Sequence, residues 1–556
     1  MNKIIKNPLF WVILASILPI LSLLHPGMPF LHDAQDHVAR IANFYQALKE
    51  GILVPRWAGA LNWGYGHPIL MFLYPLPEYL ASAFHWVGFT LVDSTKLVFG
   101  LSFVASAITM FLWMSSALGA EAGVFGALLY AFAPYRFVDL HVRGALGEHV
   151  AFIFPPLCMY YLQALSRSKT VRNTYVNVGG AAISIGALIL SHNAIALMFL
   201  PIIGFYALYL LISESKNRWQ FTLAGIAALG AGLGLSAFFW IPAVFEGKFT
   251  LRDVVTAGEA LGRFVPWSGF FYSPWNYGGT NELSKALGFP QWIGIVAAGI
   301  LLVKTKEKKR NVLIAGSLII FIVSLFIMTS WSTAIWRASK LLQEFQFPWR
   351  FLSVSVFTAA VLGGISLPYL ITKLQKRFRV SPHVLRIVLI IVIVGVTFYM
   401  WVPKAYQVHD DSYYSGIYPG TTDTGESSPI WSVRFMEHTP DNPLDVIDGD
   451  ATVIIGKRTT TEHDYTVTVR SPTLMMENTL YFPGWMIYVN GLQTGIEWQN
   501  PTYRGLMTFP MTPGADQRVR VVFQDTKVRR IADWLSLATL ILGTMTGVGV
   551  FLWRKK

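Results

Sequence analysis

The segment Leu31-His32-Asp33-Ala34-Gln35-Asp36-His37-Val38-Ala39-Arg40 follows the first apolar run of this 556-residue chain. On a helix, Asp33, Asp36, His37 and Arg40 fall at i, i+3, i+4 and i+7 and share one face. Two carboxylates beside an imidazole suit a divalent cation such as Mg or Mn, and either carboxylate alone suits a general base. Asp33 is equally suited to cap the helix, with Asp36 meeting the helix dipole from the first turn. Spacing alone leaves both readings open.

A second polar segment, Tyr135-Arg136-Phe137-Val138-Asp139-Leu140-His141-Val142-Arg143-Gly144-Ala145-Leu146-Gly147-Glu148-His149, sits between two apolar runs. Arg136 and Arg143 at a water–lipid boundary suit a phosphate or diphosphate. Snorkelling and local ion pairs explain the arginines but not Glu148-His149. Further on, His192-Asn193 interrupts two apolar runs, as a turn or as a ligand. The stretch Trp267 to Tyr277 is rich in rings that suit a sugar face or an interfacial belt. Phe347-Pro348-Trp349-Arg350 opens a run, with Pro348 well placed at a helix start.

These segments are held by a chain that is 53% apolar and 13% charged, with a mean hydropathy of +0.47. A soluble protein carries about 25% charge, so purely soluble and disordered classes are excluded. The net charge of +13 lies between apolar runs and reads as a topology signal, with no nucleic-acid partner. The single cysteine, Cys158, excludes an intrachain disulfide and a Cys-based metal site.

Spans of about 20 apolar residues are predicted near 8–24, 97–118, 121–134, 149–166, 173–191, 194–213, 219–243, 290–303, 311–330, 350–372, 385–402 and 531–552, the first being an uncleaved anchor. The run 69–92 contains Pro75, Pro77 and Glu78, which weaken it as a span. If it does not cross, the basic loops around 167–172, 216–218, 304–310 and 373–386, with Lys3, Lys6 and the tail Arg554, Lys555 and Lys556, all face the cytoplasm. If it crosses, all of them face outside, against the positive-inside rule. The expectation is therefore twelve spans in a plasma membrane, both termini cytoplasmic, and 69–92 re-entrant or interfacial. Residues 1–402 form the membrane domain, with a first outer loop at 25–96. Residues 403–530 form an outer all-β, sandwich-like module, marked by alternation in 463–471 and 517–525 and an Asn490-Gly491 turn. Residues 531–556 form the last span and tail. The span interiors are almost free of ionisable groups, unlike those of ion-coupled transporters.

Taken as an ordered set, several segments resemble a known membrane family. Asp33…His37…Arg40, Pro55-x-Trp57, Gly64-Tyr65-Gly66-x-Pro68, Tyr74-Pro75, Arg143-Gly144…Glu148, Ser191-His192-Asn193 and Phe347-Pro348-Trp349-Arg350-Phe351 resemble the bacterial and archaeal "6-pyruvoyl-tetrahydropterin synthase-related" membrane proteins. Tyr481-Phe482-Pro483-Gly484-Trp485 and Val489-Asn490-Gly491 resemble the outer module of large membrane glycosyltransferase-like proteins. The resemblance covers most of the chain and implies the GT-C class of membrane glycosyltransferases. In that class the key carboxylate follows the first span and the donor is a sugar on a polyprenyl phosphate. Here the chain has Asp33-x-x-Asp36 in place of the usual Asp-Glu or Asp-x-Asp pair.

The resemblance thus implies transfer of a sugar from a lipid-linked donor to an extracytoplasmic glycan, lipid or protein acceptor. Asp33 is the expected base and Glu148 the alternative. Asp36 and His37 would orient Asp33 or, with it, hold the divalent cation. Arg143, with Arg136 or Arg350, would meet the leaving phosphate, and Arg40 and His192 would line the substrate site. The rival expectation is a non-catalytic scaffold or glycan-binding assembly factor of the cell envelope.

Overall fold

The computed structural model describes residues 7–279 and 282–552. Lys3, Lys6, Arg554, Lys555 and Lys556 lie outside the described residues. The chain is a polytopic helical membrane protein with a C-terminal β module. Among the described residues seven helices are long and apolar enough to cross a membrane, or eight if Arg218–Leu235 and the segment after it, bent by 69°, form one span. Shorter apolar helices occupy Pro8–Leu24, Ala120–Ala131 and Phe289–Lys304, and Phe154–Ser166 is helical as well. Together they cover all twelve predicted runs.

The run 69–92 is broken as its prolines require. Ile69–Phe72 and Leu76–Trp86 are separate helices. The second, of 11 residues, is about 16 Å long, roughly half of a 30 Å hydrocarbon core. The next helix starts at Leu91, six residues before the predicted span.

Basic-loop residues pair across elements. Glu214 pairs with Arg167 and Lys309 at 3.4 and 3.5 Å, and Arg386 pairs with Glu121 at 2.8 Å. At the other end the first loop meets Arg143 and β-module residue Leu480 through backbone bonds, and Arg252 pairs with Glu344 at 3.8 Å.

The module has two antiparallel sheets. Its strands are β1 (Leu444–Asp448), β2 (Ala451–Arg458), β3 (Glu462–Val469), β4 (Thr473–Leu480), β5 (Trp485–Val489), β6 (Leu492–Thr494), β7 (Leu506–Met511) and β8 (Gly514–Phe523). One sheet runs β2-β3-β8-β5-β6 and the other β1-β4-β7. Alternate residues of β3 and β8, among them Tyr465, Val467, Val519 and Val521, are buried, as the period of two demands. Trp57, Tyr65 and Met71 of the first loop complete this core, and Trp57 packs edge-on against Trp485 at 5.4 Å.

The predicted module began at 403, but the two sheets begin at 444. Residues 404–443 run instead as a strap over the first loop. Tyr406–Gln407 pairs with Met28–Pro29, and Tyr418 and Gly420 bond the backbone of Ala60, Asn62 and Trp63.

Candidate active site

The first-loop helix, Ala34–Lys49, buries Ala34, Val38, Ile41, Phe44 and Ala47, the apolar face of its 3.6-residue period. It ends at Glu50, followed by Gly51 at φ +89°. Asp33 stands at its N-cap position; its carbonyl accepts the His37 N–H at 3.0 Å, but its side chain makes no bond to the helix backbone. The capping role open to Asp33 in the sequence is therefore not taken up. Its own N–H donates to the Arg143 carbonyl at 3.0 Å, and that of His32 to Val142 at 3.0 Å.

This contact joins the two polar segments, and Gly144 permits it. The chain passes through a π-helical turn, Asp139–Arg143, of a kind frequent at functional sites. It then reverses at Gly144, whose φ is +70° and where a Cβ would lie 3.0 Å from Leu31 Cβ. A side chain would be strained there and would push the segments apart.

The Asp33 side chain is exposed, yet protein surrounds it closely. Burial raises its carboxyl above the usual range, and Arg143, then His32, Arg40 and Arg350, oppose that rise. Asp33 is thus an accessible carboxylate in the field of Arg143, Arg40 and Arg350.

Glu148 is fully buried beneath it. Its Oε1 lies 2.9 Å from Arg143 Nη2, 3.3 Å from Arg350 Nε and 3.9 Å from His192 Nε2. Its Oε2 accepts the Tyr135 hydroxyl at 2.8 Å. Burial alone would raise its pKa, but Arg143, His192 and Arg350 outweigh it and hold the carboxyl at about 2. Glu148 is thus shielded from solvent, bound on both oxygens, and ties Arg143 and Arg350 together. Asp139 takes the other side of Arg143 at 2.6 Å. Trp349 lies under the same guanidinium at 4.5 Å, in the geometry of a cation–π contact.

Arg350 turns inward, donating to the Phe345 carbonyl at 3.0 Å and lying 4.9 Å over the Phe347 ring. His192 caps the next helix: its Nδ1 accepts from Ile195 N–H at 3.3 Å. That bond places any proton of the neutral ring on Nε2, facing Glu148. Tyr74 stacks on the His192 ring at 4.7 Å. His192, Arg350, Tyr74, Arg252, Glu344 and Glu426 line a cavity of about 180 Å³ that also meets Leu197, Ala243 and Leu341, so it borders the ends of apolar helices.

Arg40 is buried and bound by the strap. Its Nε donates to Thr422 Oγ1 at 3.2 Å, and a second nitrogen donates to the Thr422 carbonyl. His37 Nδ1 lies 3.3 Å from Arg40 Nη1. Burial and then Arg40 drive the His37 imidazole well below its usual pKa, so it is neutral. Asp36 accepts the Tyr418 hydroxyl at 2.9 Å; burial raises its carboxyl, opposed by Tyr418 and Arg40. With a tyrosine on Asp36 and a guanidinium on His37, this set does not fit a metal. Among the described residues no three His, Cys, Asp or Glu side chains gather to hold one.

Arg136 departs from its expected place. It is fully buried, donates to Ser106 Oγ at 2.8 Å and lies 4.1 Å over the Phe152 ring. It supports the helix bundle rather than the cavity.

Three participants escaped the sequence reading: Tyr418, Thr422 and Glu78, the last paired with Arg40 at 3.7 Å. Burial lifts the Glu78 carboxyl to about 7, against the pull of Arg40. A lone acid in the apolar run 69–92 was its signal, and the Asp-, Tyr- and Gly-rich composition of the strap was theirs.

No family model matches the chain, so the family label suggested by the motifs gains no support there. An uncharacterized protein of Lactococcus lactis subsp. cremoris (strain MG1363) is 24% identical over 248 residues, 43% of this chain and 39% of that protein. The chain thus matches well under half the length of that curated relative. Among solved structures, mycobacterial arabinofuranosyltransferase AftD matches at a TM-score of 0.44 and 14% identity, over 71% of this chain and 28% of that one. The Archaeoglobus fulgidus oligosaccharyltransferase matches at 0.41 and 14%, over 76% and 61%. ArnT from Cupriavidus metallidurans, bound to undecaprenyl phosphate, matches at 0.29 and 12%, over 66% and 79%.

Proposed function

We propose that the chain is a membrane glycosyltransferase that moves a sugar from a polyprenyl-phosphate donor to an acceptor hydroxyl outside the cytoplasmic membrane. One observation carries the reading: Asp33, exposed and joined through its backbone N–H to the Arg143 carbonyl at 3.0 Å, stands beside the buried Arg143–Glu148–Arg350 array.

The donor phosphate would sit against Arg143 and Arg350, its lipid chain leaving sideways between apolar helices because a polyprenyl chain is expelled from water. Asp33, whose basicity burial raises, takes the proton of the acceptor hydroxyl. That oxygen attacks the anomeric carbon, the bond to phosphate breaks, and the lipid phosphate departs carrying the electron pair. Arg143 and Arg350 offset its developing charge; held already by Glu148, Asp139 and Trp349, they need little reorganisation to do so. Neutral His37 and Asp36 follow Asp33 on the same helix, one held against Arg40 and the other by Tyr418. The strap, through Thr422 and Tyr418, fixes Arg40 and Asp36, and the β module places the acceptor. No step runs through a metal.

Purified protein incubated with a panel of polyprenyl-phosphate sugars should release polyprenyl phosphate. No release from any donor, with native folding intact, would favour the scaffold reading.

A further inference from the structure

The helices Phe289–Lys304 and Leu352–Phe378 cross tightly at Gly294 and Gly363. A Cβ on Gly294 would stand 2.7 Å from Gly363 Cα, and Ser366 Oγ donates to the Gly294 carbonyl at 2.8 Å. Beyond that crossing they leave an apolar groove of about 610 Å³, lined by Trp292, Val296, Ile300 and Leu370 and ending at Lys304 and Lys373. Val296 and Ile300 are 60% and 53% exposed, so the groove faces the surroundings of the bundle.

Length and charge define its occupant. From Trp292 to Lys304 the helix rises about 18 Å, close to the depth of one leaflet of a 30 Å hydrocarbon core. An acyl chain of one leaflet fits that length. Two lysines from separate helices converge at its end, both exposed, and Lys373 Nζ lies 5.5 Å over the Tyr369 ring. The nearby Glu307 is engaged with Arg310 at 3.3 Å. Snorkelling explains one lysine at a helix end. It does not explain two that meet at the mouth of one groove.

We infer that this groove binds an anionic glycerophospholipid of the leaflet on the basic-loop side, one acyl chain lying along Ile300 and Val296 and the phosphate between Lys304 and Lys373. The site lies on the face opposite the candidate catalytic residues and stands independently of the proposed transferase activity.

Full-length protein is extracted from vesicles of equal phosphatidylglycerol and phosphatidylcholine, and retained lipids are counted by native mass spectrometry. Wild type should keep phosphatidylglycerol in preference. Each lysine near a membrane surface is worth roughly five-fold in affinity, so Lys304→Gln with Lys373→Gln should lower that preference about 25-fold. Ile300→Trp, an exposed position that fills the groove, should displace the lipid with both lysines intact. Lys306→Gln with Lys308→Gln removes equal charge outside the groove and should lower the preference much less than the Lys304/Lys373 pair. Equal retention of both lipids by wild type, a loss in the Lys306/Lys308 variant as large as in the Lys304/Lys373 variant, or undiminished retention by Ile300→Trp would overturn the site.

Discussion

Replacing Glu148 by Gln tests whether the buried array holds the arginines in place. The carboxylate is fully buried and meets two guanidiniums at 2.9 and 3.3 Å and a hydroxyl at 2.8 Å. Gln keeps the volume and one acceptor but brings N–H groups against donors. Removing one member of a buried ion pair costs about 3–5 kcal/mol, because the partner charge is left uncompensated. Here Asp139 still meets Arg143, and Arg350 retains the Phe345 carbonyl and the Phe347 ring, so the loss belongs in the lower half of that range. Denaturant unfolding in detergent micelles reads it directly, with Asp33→Asn as the reference. Asp33 makes no capping bond and its charge is disfavoured by burial, so its neutral variant should unfold no earlier than wild type. Glu148→Gln should lose stability and activity together, Asp33→Asn activity alone. A Glu148→Gln stability within about 1 kcal/mol of wild type, the level of an exposed pair, would refute the anchoring role.

Other consequences follow from single contacts. Arg136→Met should keep activity and be neutral or stabilising, since a buried cation with few partners is replaced by an apolar group of similar length, whereas Arg143→Met should abolish turnover; equal loss in both would return Arg136 to the site. Gly144→Ala should cost about 1–2 kcal/mol for the left-handed backbone, and more for the contact with Leu31, read by the same unfolding assay. Glu78 binds its proton more tightly when folded, at about 7 against 4.5, so its contribution is full below pH 4.5 and is lost as pH rises through 7. That loss is about 3 kcal/mol at 1.36 kcal/mol per unit, and a melting curve that is as steep in pH for Glu78→Gln as for wild type would contradict it.

Much of this was legible because membrane chemistry is written in composition. Apolar runs located the helices, and Pro75 and Pro77 marked the break in 69–92. Helical spacing placed His37 and Arg40 on one helix, with Asp33 at its N-cap position. What the sequence left open was which carboxylate reaches solvent. Asp33 and Glu148 differ in accessibility, a property of how two segments more than 100 residues apart meet at Gly144. Arg136 and Arg143 were indistinguishable by spacing, yet the π-helical turn sends one into the bundle and the other to the site. The strap was the least legible part: Tyr418 and Thr422 lie in an irregular stretch, and their partners Asp36 and Arg40 stand nearly four hundred residues away.

The central claim, that Asp33 is the base of a sugar transfer, is tested most directly by turnover of a polyprenyl-phosphate sugar by Asp33→Asn, with unfolding measured on the same preparation. A general base contributes roughly 10²–10⁴-fold, so the account predicts a fall of that size, unchanged stability, and retained binding of polyprenyl phosphate through Arg143 and Arg350. Turnover by Asp33→Asn within a few-fold of wild type would contradict it.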